Sequence, residues 1–243
     1  MEIIASIGII HGIMAFDRFD DRVGKAQLLL TLTPEEETRV KEKAMSYRRH
    51  NNHDTDEYLL QEARVAVLSQ KIFTRLREKY DLQDLDRLDA KHIYQNTLES
   101  ALHDTAKMFG GFENVRGKRI LDIACGSLTS QDEFADNPRL YEPWLCRALW
   151  ELEAEPVGVD IGNLDGEEFE HHNIDLSVPG ALNFFPEKSF DGIHLSKLRT
   201  SPAFEDATTE DERHTIRDEI ETQATRLLKD DGKKIRDSHW WSI

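Results

Sequence analysis

From residue 117 onward, short β-favouring runs alternate with stretches of helical period, and no other feature limits the folds open to this chain so strongly. The runs are "RILDIA", "PVGVD", "FEHHNIDL" and "FDGIHL", with a more polar "KKIRDS" near the end. Between the first two lies "YEPWLCRALWELEA". Ahead of the last lies "EDERHTIRDEIETQATRLL", with acids in its first turn and Arg226 and Lys229 near its end, as a helix dipole prefers. Strands separated by helices are joined by crossovers, and crossovers make parallel neighbours. The expected fold class is α/β, a mostly parallel sheet with flanking helices. "KKIRDS" is too polar for a strand buried on both faces, so the sheet is expected to be shortened at its C-terminal side.

Upstream the pattern is helical. "TPEEETRVKEKAMSYRRH" opens with Thr33 as N-cap, Pro34 at the first helical position and Glu36 three residues on, which is a capping box. A second helix is expected from about Thr55 to Tyr80, where Leu59, Ala63, Val67 and Phe73 follow a helical period. A third is expected from about Ala90 to Phe109, capped by Asp89 and stopped by Gly110 and Gly111. The change of period divides the chain into a helical N-terminal cap, residues 1–112, and a sheet domain, residues 113–243. The apolar start "MEIIASIGIIHGIMAF" has no basic leader and is broken by Gly8, His11 and Gly12. It is expected to pack as a short strand or helix rather than to target or span a membrane.

Acidic residues outnumber basic ones 47 to 31, and the resulting charge of −16 repels phosphate backbones and anionic lipid. Neither nucleic acid nor a membrane is an expected partner. Cys125 and Cys146 are too few for a disulfide framework and form no C-x-x-C pair, which fits a reducing cytoplasm. His50, His53, His171 and His172 lack partners at metal-binding spacing, so no metal is expected.

The stretch "KRILDIACGS" runs an apolar strand into a turn with a lone glycine, Gly126. In an open parallel sheet, ligands bind beyond the carboxyl ends of the strands, where the first turn brings backbone close to them. A pyrophosphate loop would need G-x-G-x-x-G, and here Ser127 and Leu128 stand where more glycines would fall. The ligand therefore need not carry phosphate. The second run ends in Asp160, placed to grip both hydroxyls of a ribose, and "NIDLS" places Asp175 where a carboxylate can accept from an exocyclic amine.

Taken in order, these segments resemble the class I S-adenosylmethionine-dependent methyltransferases, whose sheet domain is Rossmann-like. "ILDIACGS" is similar to their first motif, "VGVDIG" to the second, "NIDL" to the adenine-reading segment, "FDGIHL" to the fourth strand and "LLKDDGKKI" to the turn before the fifth. The resemblance covers about residues 115–238. It implies that Asp122 and the backbone of Ala124, Cys125 and Gly126 hold the methionine end of S-adenosylmethionine, with Leu195 nearby. It further implies that Asp160 binds the ribose, that Ile161 packs on the adenine, and that Asp175 and the N–H of Leu176 read the adenine edge. Cys125 itself reads as a packing residue with nothing near it in sequence to activate a thiol.

The expected reaction is methyl transfer to a small-molecule acceptor, leaving S-adenosylhomocysteine. His194, at the carboxyl end of "FDGIHL", is the leading candidate for a general base, with Ser196 and Arg199 as acceptor-orienting groups. The plainer reading of His194 is a histidine on the less apolar face of a strand. Two features depart from the family. Gly126 and Asp160 are separated by 34 positions against the ≈20 usual for a first strand–helix unit, and the insertion "TSQDEFADNPRLYE" lies beside the turn. The polar fifth run and the missing last strands favour an alternative, a non-catalytic interaction or assembly module working through its helical part. The expected oligomer is a homodimer through that part, and Trp240 with Trp241 would need a neighbour to cover them.

Overall fold

The computed structural model describes residues 24–50, 54–82, 93–128, 139, 141–196 and 209–236. The expectations for the first 23 residues, His53, Asp89, the insertion at 129–138, Arg199 and Trp240 with Trp241 fall outside them.

Three helices open the described chain: α1 (Lys25–Leu30), α2 (Pro34–His50) and α3 (Asp56–Lys79). The capping box forms as expected. The Thr33 N–H donates to the Glu36 carboxylate at 2.9 Å and the Glu36 N–H donates to the Thr33 hydroxyl at 3.2 Å. The third expected helix is divided into a π-helical turn, Tyr94–Leu98, and α4 (Glu99–Phe109). Gly110 ends α4 in the left-handed region at φ 73°, where a glycine carries no Cβ penalty.

Five strands follow: β1 (Arg119–Ile123), β2 (Glu155–Asp160), β3 (Glu170–Asn173), β4 (Phe190–Leu195) and β5 (Leu228–Arg236). They form one all-parallel sheet in the order β3-β2-β1-β4-β5. Helix α5 (Trp144–Glu151) lies between β1 and β2, and α6 (Glu210–Leu227) runs straight into β5. The chain moves outward one way from β1 to β3 and returns to the other side of β1 as β4. The carboxyl ends of β1 and β4 thus bound the crevice where an open parallel sheet receives ligands.

Alternation along the strands sends side chains to two apolar layers. Leu121, Ile123, Val157, Val159 and Ile193 pack with Leu182, Phe185 and the Ile220, Ala224 and Leu227 face of α6. On the other side, Ile120 joins Leu68, Ile72 and Leu76 of α3, Leu102 of α4 and Leu149 of α5 in one cluster. Helices therefore flank both faces, and packing is continuous across the boundary expected at residue 112. Two bare positions let neighbours approach the sheet closely. A Cβ on Gly158 would lie 2.9 Å from Cys125 Sγ, and one on Gly192 would lie 2.7 Å from Met108 Sδ.

The polarity of "KKIRDS" has a simple cause: among the described residues β5 is an edge strand, where charge is tolerated and deters pairing with other chains. Its register slips at "KDDG", so that Phe190 pairs with Leu228 but Gly192 pairs with Lys233. Lys234 and Arg236 then reach Glu221 of α6, at 2.8 and 2.5 Å, and tie the edge strand to its covering helix. Partial burial would raise the Glu221 pKa, but the hydrogen bonds and charges of Arg236 and Lys234 outweigh it and hold the group at about 2. A carboxyl lowered in the folded state stabilises above its unfolded pKa, ordinarily near 4.5, and loses that contribution as pH falls toward 2. Glu221→Gln should thus cost about 1 kcal/mol at pH 7, given the solvent exposure of this pair, and the difference from wild type should vanish toward pH 2. Urea denaturation across that pH range reads both.

Candidate functional site

Asp122 of β1 stands in register with Gly158 of β2 and His194 of β4, so the three form a row across the centre of the sheet. The bare Gly158 leaves room on one side of Asp122. On the other side the imidazole is close enough to bond. Asp122 Oδ1 accepts from the Ser196 hydroxyl at 2.7 Å and lies 3.0 Å from His194 Nδ1, which is itself 2.8 Å from Ser196 Oγ. The Cys146 thiol donates to Oδ2 at 3.7 Å. An ionised carboxylate only accepts, so the ring nitrogen facing it carries the hydrogen. Lys118 and Arg119, ordinary strand-end partners for an acid, pair with Asp191 and Glu170 instead.

Asp122 is 1% exposed and His194 3%. Asp122 Oδ1 meets Ser196 and His194, and its Oδ2 meets Cys146. Its place is behind His194.

The strand ladder continues for one step past β1, with the Cys125 N–H donating to Val159 O at 3.1 Å. Ala124 at φ 60° and Gly126 at φ 91° then turn the backbone through the left-handed region. A Cβ on Gly126 would overlap the Tyr141 carbonyl, so glycine is required there twice over, by conformation and by space. The turn's donors have definite acceptors. The Gly126 N–H donates to Asp160 Oδ2 at 2.9 Å, the Ser127 N–H to Tyr141 O at 2.9 Å and the Leu128 N–H to Asn163 O at 3.0 Å.

Asp160 thus meets the turn although it lies 34 positions further along the chain. The Gly162 N–H donates to its other oxygen, Oδ1, also at 2.9 Å. Burial raises the Asp160 pKa, the two amides oppose that rise, and the negative charge of Asp122 adds to it. A carboxylate partly stripped of water at the end of β2, with the charge of Asp122 nearby, favours positive charge or hydrogen-bond donors beside it.

The remaining expected residues separate into two groups. Ile161 is half exposed beside Asp160, and Asp175 is exposed after β3, where its Oδ1 accepts from the Ser177 N–H and hydroxyl. Leu176 and Leu195 are buried in the apolar layer under α6, so only their backbone could meet a ligand. Cys125 and Cys146 pack with Leu164 and Phe169. Burial pushes the Cys125 thiol up to about 11, in keeping with a packing role. Among the described residues no cluster of His, Cys, Asp and Glu could hold a metal ion.

Sequence reasoning missed a buried ionic network beside the turn. Arg147 of α5 bonds Glu142 on one side and Glu167 on the other, with Nη2 2.6 Å from Glu167 Oε1. Arg139 also bonds Glu142, at 2.7 Å. An arginine in the otherwise apolar run "WLCRALW" was the available signal, since a buried guanidinium demands carboxylate partners.

No protein-family model, curated protein or solved structure matches this chain. Among the described residues no helix is long and apolar enough to cross a membrane.

Gly126→Ala forces both a left-handed alanine and a clash with backbone. A loss of more than about 2 kcal/mol in chemical denaturation is expected, with failure to fold as the extreme. A fully stable alanine variant would show that the turn has another low-energy path.

Proposed function

We propose that the carboxyl ends of β1, β2 and β4 form a nucleoside-binding site for S-adenosylmethionine and that the protein is a methyltransferase acting on a small molecule. The observation that carries this reading is the bond between the Gly126 amide and Asp160, which brings the turn after the first strand onto the acid that ends the second. The residues fit such a group at the ribose and adenine end. The Gly126 and Gly162 amides and the Ser127 hydroxyl hold the Asp160 carboxylate, an acceptor of the kind a vicinal diol needs. Ile161 offers exposed apolar surface next to it, and Asp175 with the Leu176 backbone offers polar groups for an adenine edge.

When bound, S-adenosylmethionine would supply an activated methyl group on a positively charged sulfur. The chain's own part is to orient the acceptor, exclude water and, for a hydroxyl acceptor, take up a proton. His194 suits the last task, because Asp122 and Ser196 fix the orientation of its ring. Asp122 acts in this reading as the support of His194.

The deep burial of Asp122 and His194 favours a second reading, a non-catalytic module whose Asp122–His194–Ser196 set holds β1 to β4. Binding of the cofactor without turnover on any acceptor would support it.

Calorimetric titration with S-adenosylmethionine and S-adenosylhomocysteine tests the site. Wild type is expected to bind both, and Asp160→Ala to lose about 10- to 100-fold in affinity while remaining folded. Affinity should also weaken as pH falls through the raised pKa of Asp160, since protonation removes acceptor capacity. No binding by folded wild type, or unchanged affinity in the variant, would contradict the assignment.

A further inference from the structure

The buried network around Arg147 sits against the Gly126 turn without belonging to it. Glu142, Arg147 and Glu167 are all largely buried, and the guanidinium lies 4.2 Å from the Tyr80 ring centroid and 4.6 Å from that of Trp144. Arg139 completes a balanced set of two cations and two anions. Its own guanidinium reaches Tyr80 O at 3.0 Å, and its carbonyl accepts from the Trp144 indole N–H at 2.8 Å. Burial would lower the Arg147 pKa, but Glu167 and Glu142 reverse that effect and keep the group charged.

Burying such a set is costly, and apolar side chains of similar volume often hold a fold equally well. What an apolar set lacks is direction. A guanidinium bonds two carboxylates in fixed planes, and those carboxylates belong to the two segments that grip the turn. Glu142 follows Tyr141, whose carbonyl accepts the Ser127 N–H. Glu167 closes the short turn from Leu164, through its N–H to Leu164 O at 3.2 Å, next to Asn163, whose carbonyl accepts the Leu128 N–H.

We infer that Arg147 is a positioning residue for the Gly126 turn. By bridging Glu142 and Glu167 it sets the spacing of the Tyr141 and Asn163 carbonyls, which hold the Ser127 and Leu128 amides and leave the Gly126 amide on Asp160. The turn then meets a ligand with its amides committed to protein oxygens and with the Asp160 carboxylate presented. That arrangement selects ligands that bring donors or positive charge, and it disfavours phosphates, which require amide donors. The ligand's identity rests on the nucleoside reading above; the positioning does not.

The experiment is residue-resolved amide hydrogen exchange on the full chain without ligand. It compares wild type with Arg147→Met and with the triple variant Glu142→Gln/Arg147→Met/Glu167→Gln, which removes the bridge and leaves only the partly exposed Arg139 without its carboxylate. Exchange at Ser127 and Leu128 should accelerate by about tenfold or more in the triple variant, while Cys125, bonded to Val159 in the strand ladder, keeps its wild-type rate. Wild-type rates at Ser127 and Leu128 would overturn the inference, and so would equal acceleration at Cys125, which marks general loosening. If Arg147→Met alone does not fold, the triple variant still decides. Titration of the same samples with S-adenosylmethionine separates the two ideas: absence of binding by wild type removes the cofactor and leaves the exchange result standing.

Discussion

The hydrogen bond from the Gly126 amide to the Asp160 carboxylate is the contact on which the rest of the site depends. It joins the ends of two adjacent parallel strands beyond the point where the ladder can hold them. It sits at a left-handed Gly126, whose lack of a Cβ lets the backbone pass the Tyr141 carbonyl. It also fixes the carboxylate, together with the Gly162 amide and the Ser127 hydroxyl. The turn lacks the glycines of a phosphate loop and uses carbonyls from the flanking segments to satisfy its amides.

Two supports hold that contact from opposite sides. Across the sheet, Asp122 joins His194 and Ser196 at the crevice between β1 and β4. Along the helix layer, Arg147 couples the segments that end at Tyr141 and begin at Asn163. Both are largely buried polar sets, and both would be costly to leave half-satisfied. The helices that lead the chain contribute to the second support directly, since Tyr80 at the end of α3 stacks on the Arg147 guanidinium. The helical region and the sheet thus share one core, with the site at their common end.

Much of this was legible in the sequence because local chemistry decided it. Thr33 and Glu36 close their capping box, Gly110 stops α4, and the alternation of strands and helices produces a parallel sheet. The meeting of Gly126 and Asp160 follows from their places at successive strand ends. Elsewhere the deciding partners are distant in sequence. The π-helical turn at Tyr94–Leu98 carries no mark distinguishing it from the α-helical period around it. The pairing of Asp122 with His194 needs the order of the strands, because β1 and β4 become neighbours only when the chain returns across the sheet. The acids that neutralise Arg147 come from two loops, although the arginine itself stands out among the apolar residues of α5. The polarity of the fifth run marks it as unfit for a central strand, and its place at the sheet edge explains why it is a strand at all.

An amide-resolved NMR titration with S-adenosylhomocysteine would test the site most directly. The amides of Gly126, Ile161, Gly162 and Leu176, at the carboxyl ends of the strands, are expected to shift together and to saturate with one dissociation constant, while Arg119 and Asp191 at the opposite end stay unmoved. Shifts at the amino ends of the strands, or none at all in a folded sample, would contradict a nucleoside site at the Gly126 turn.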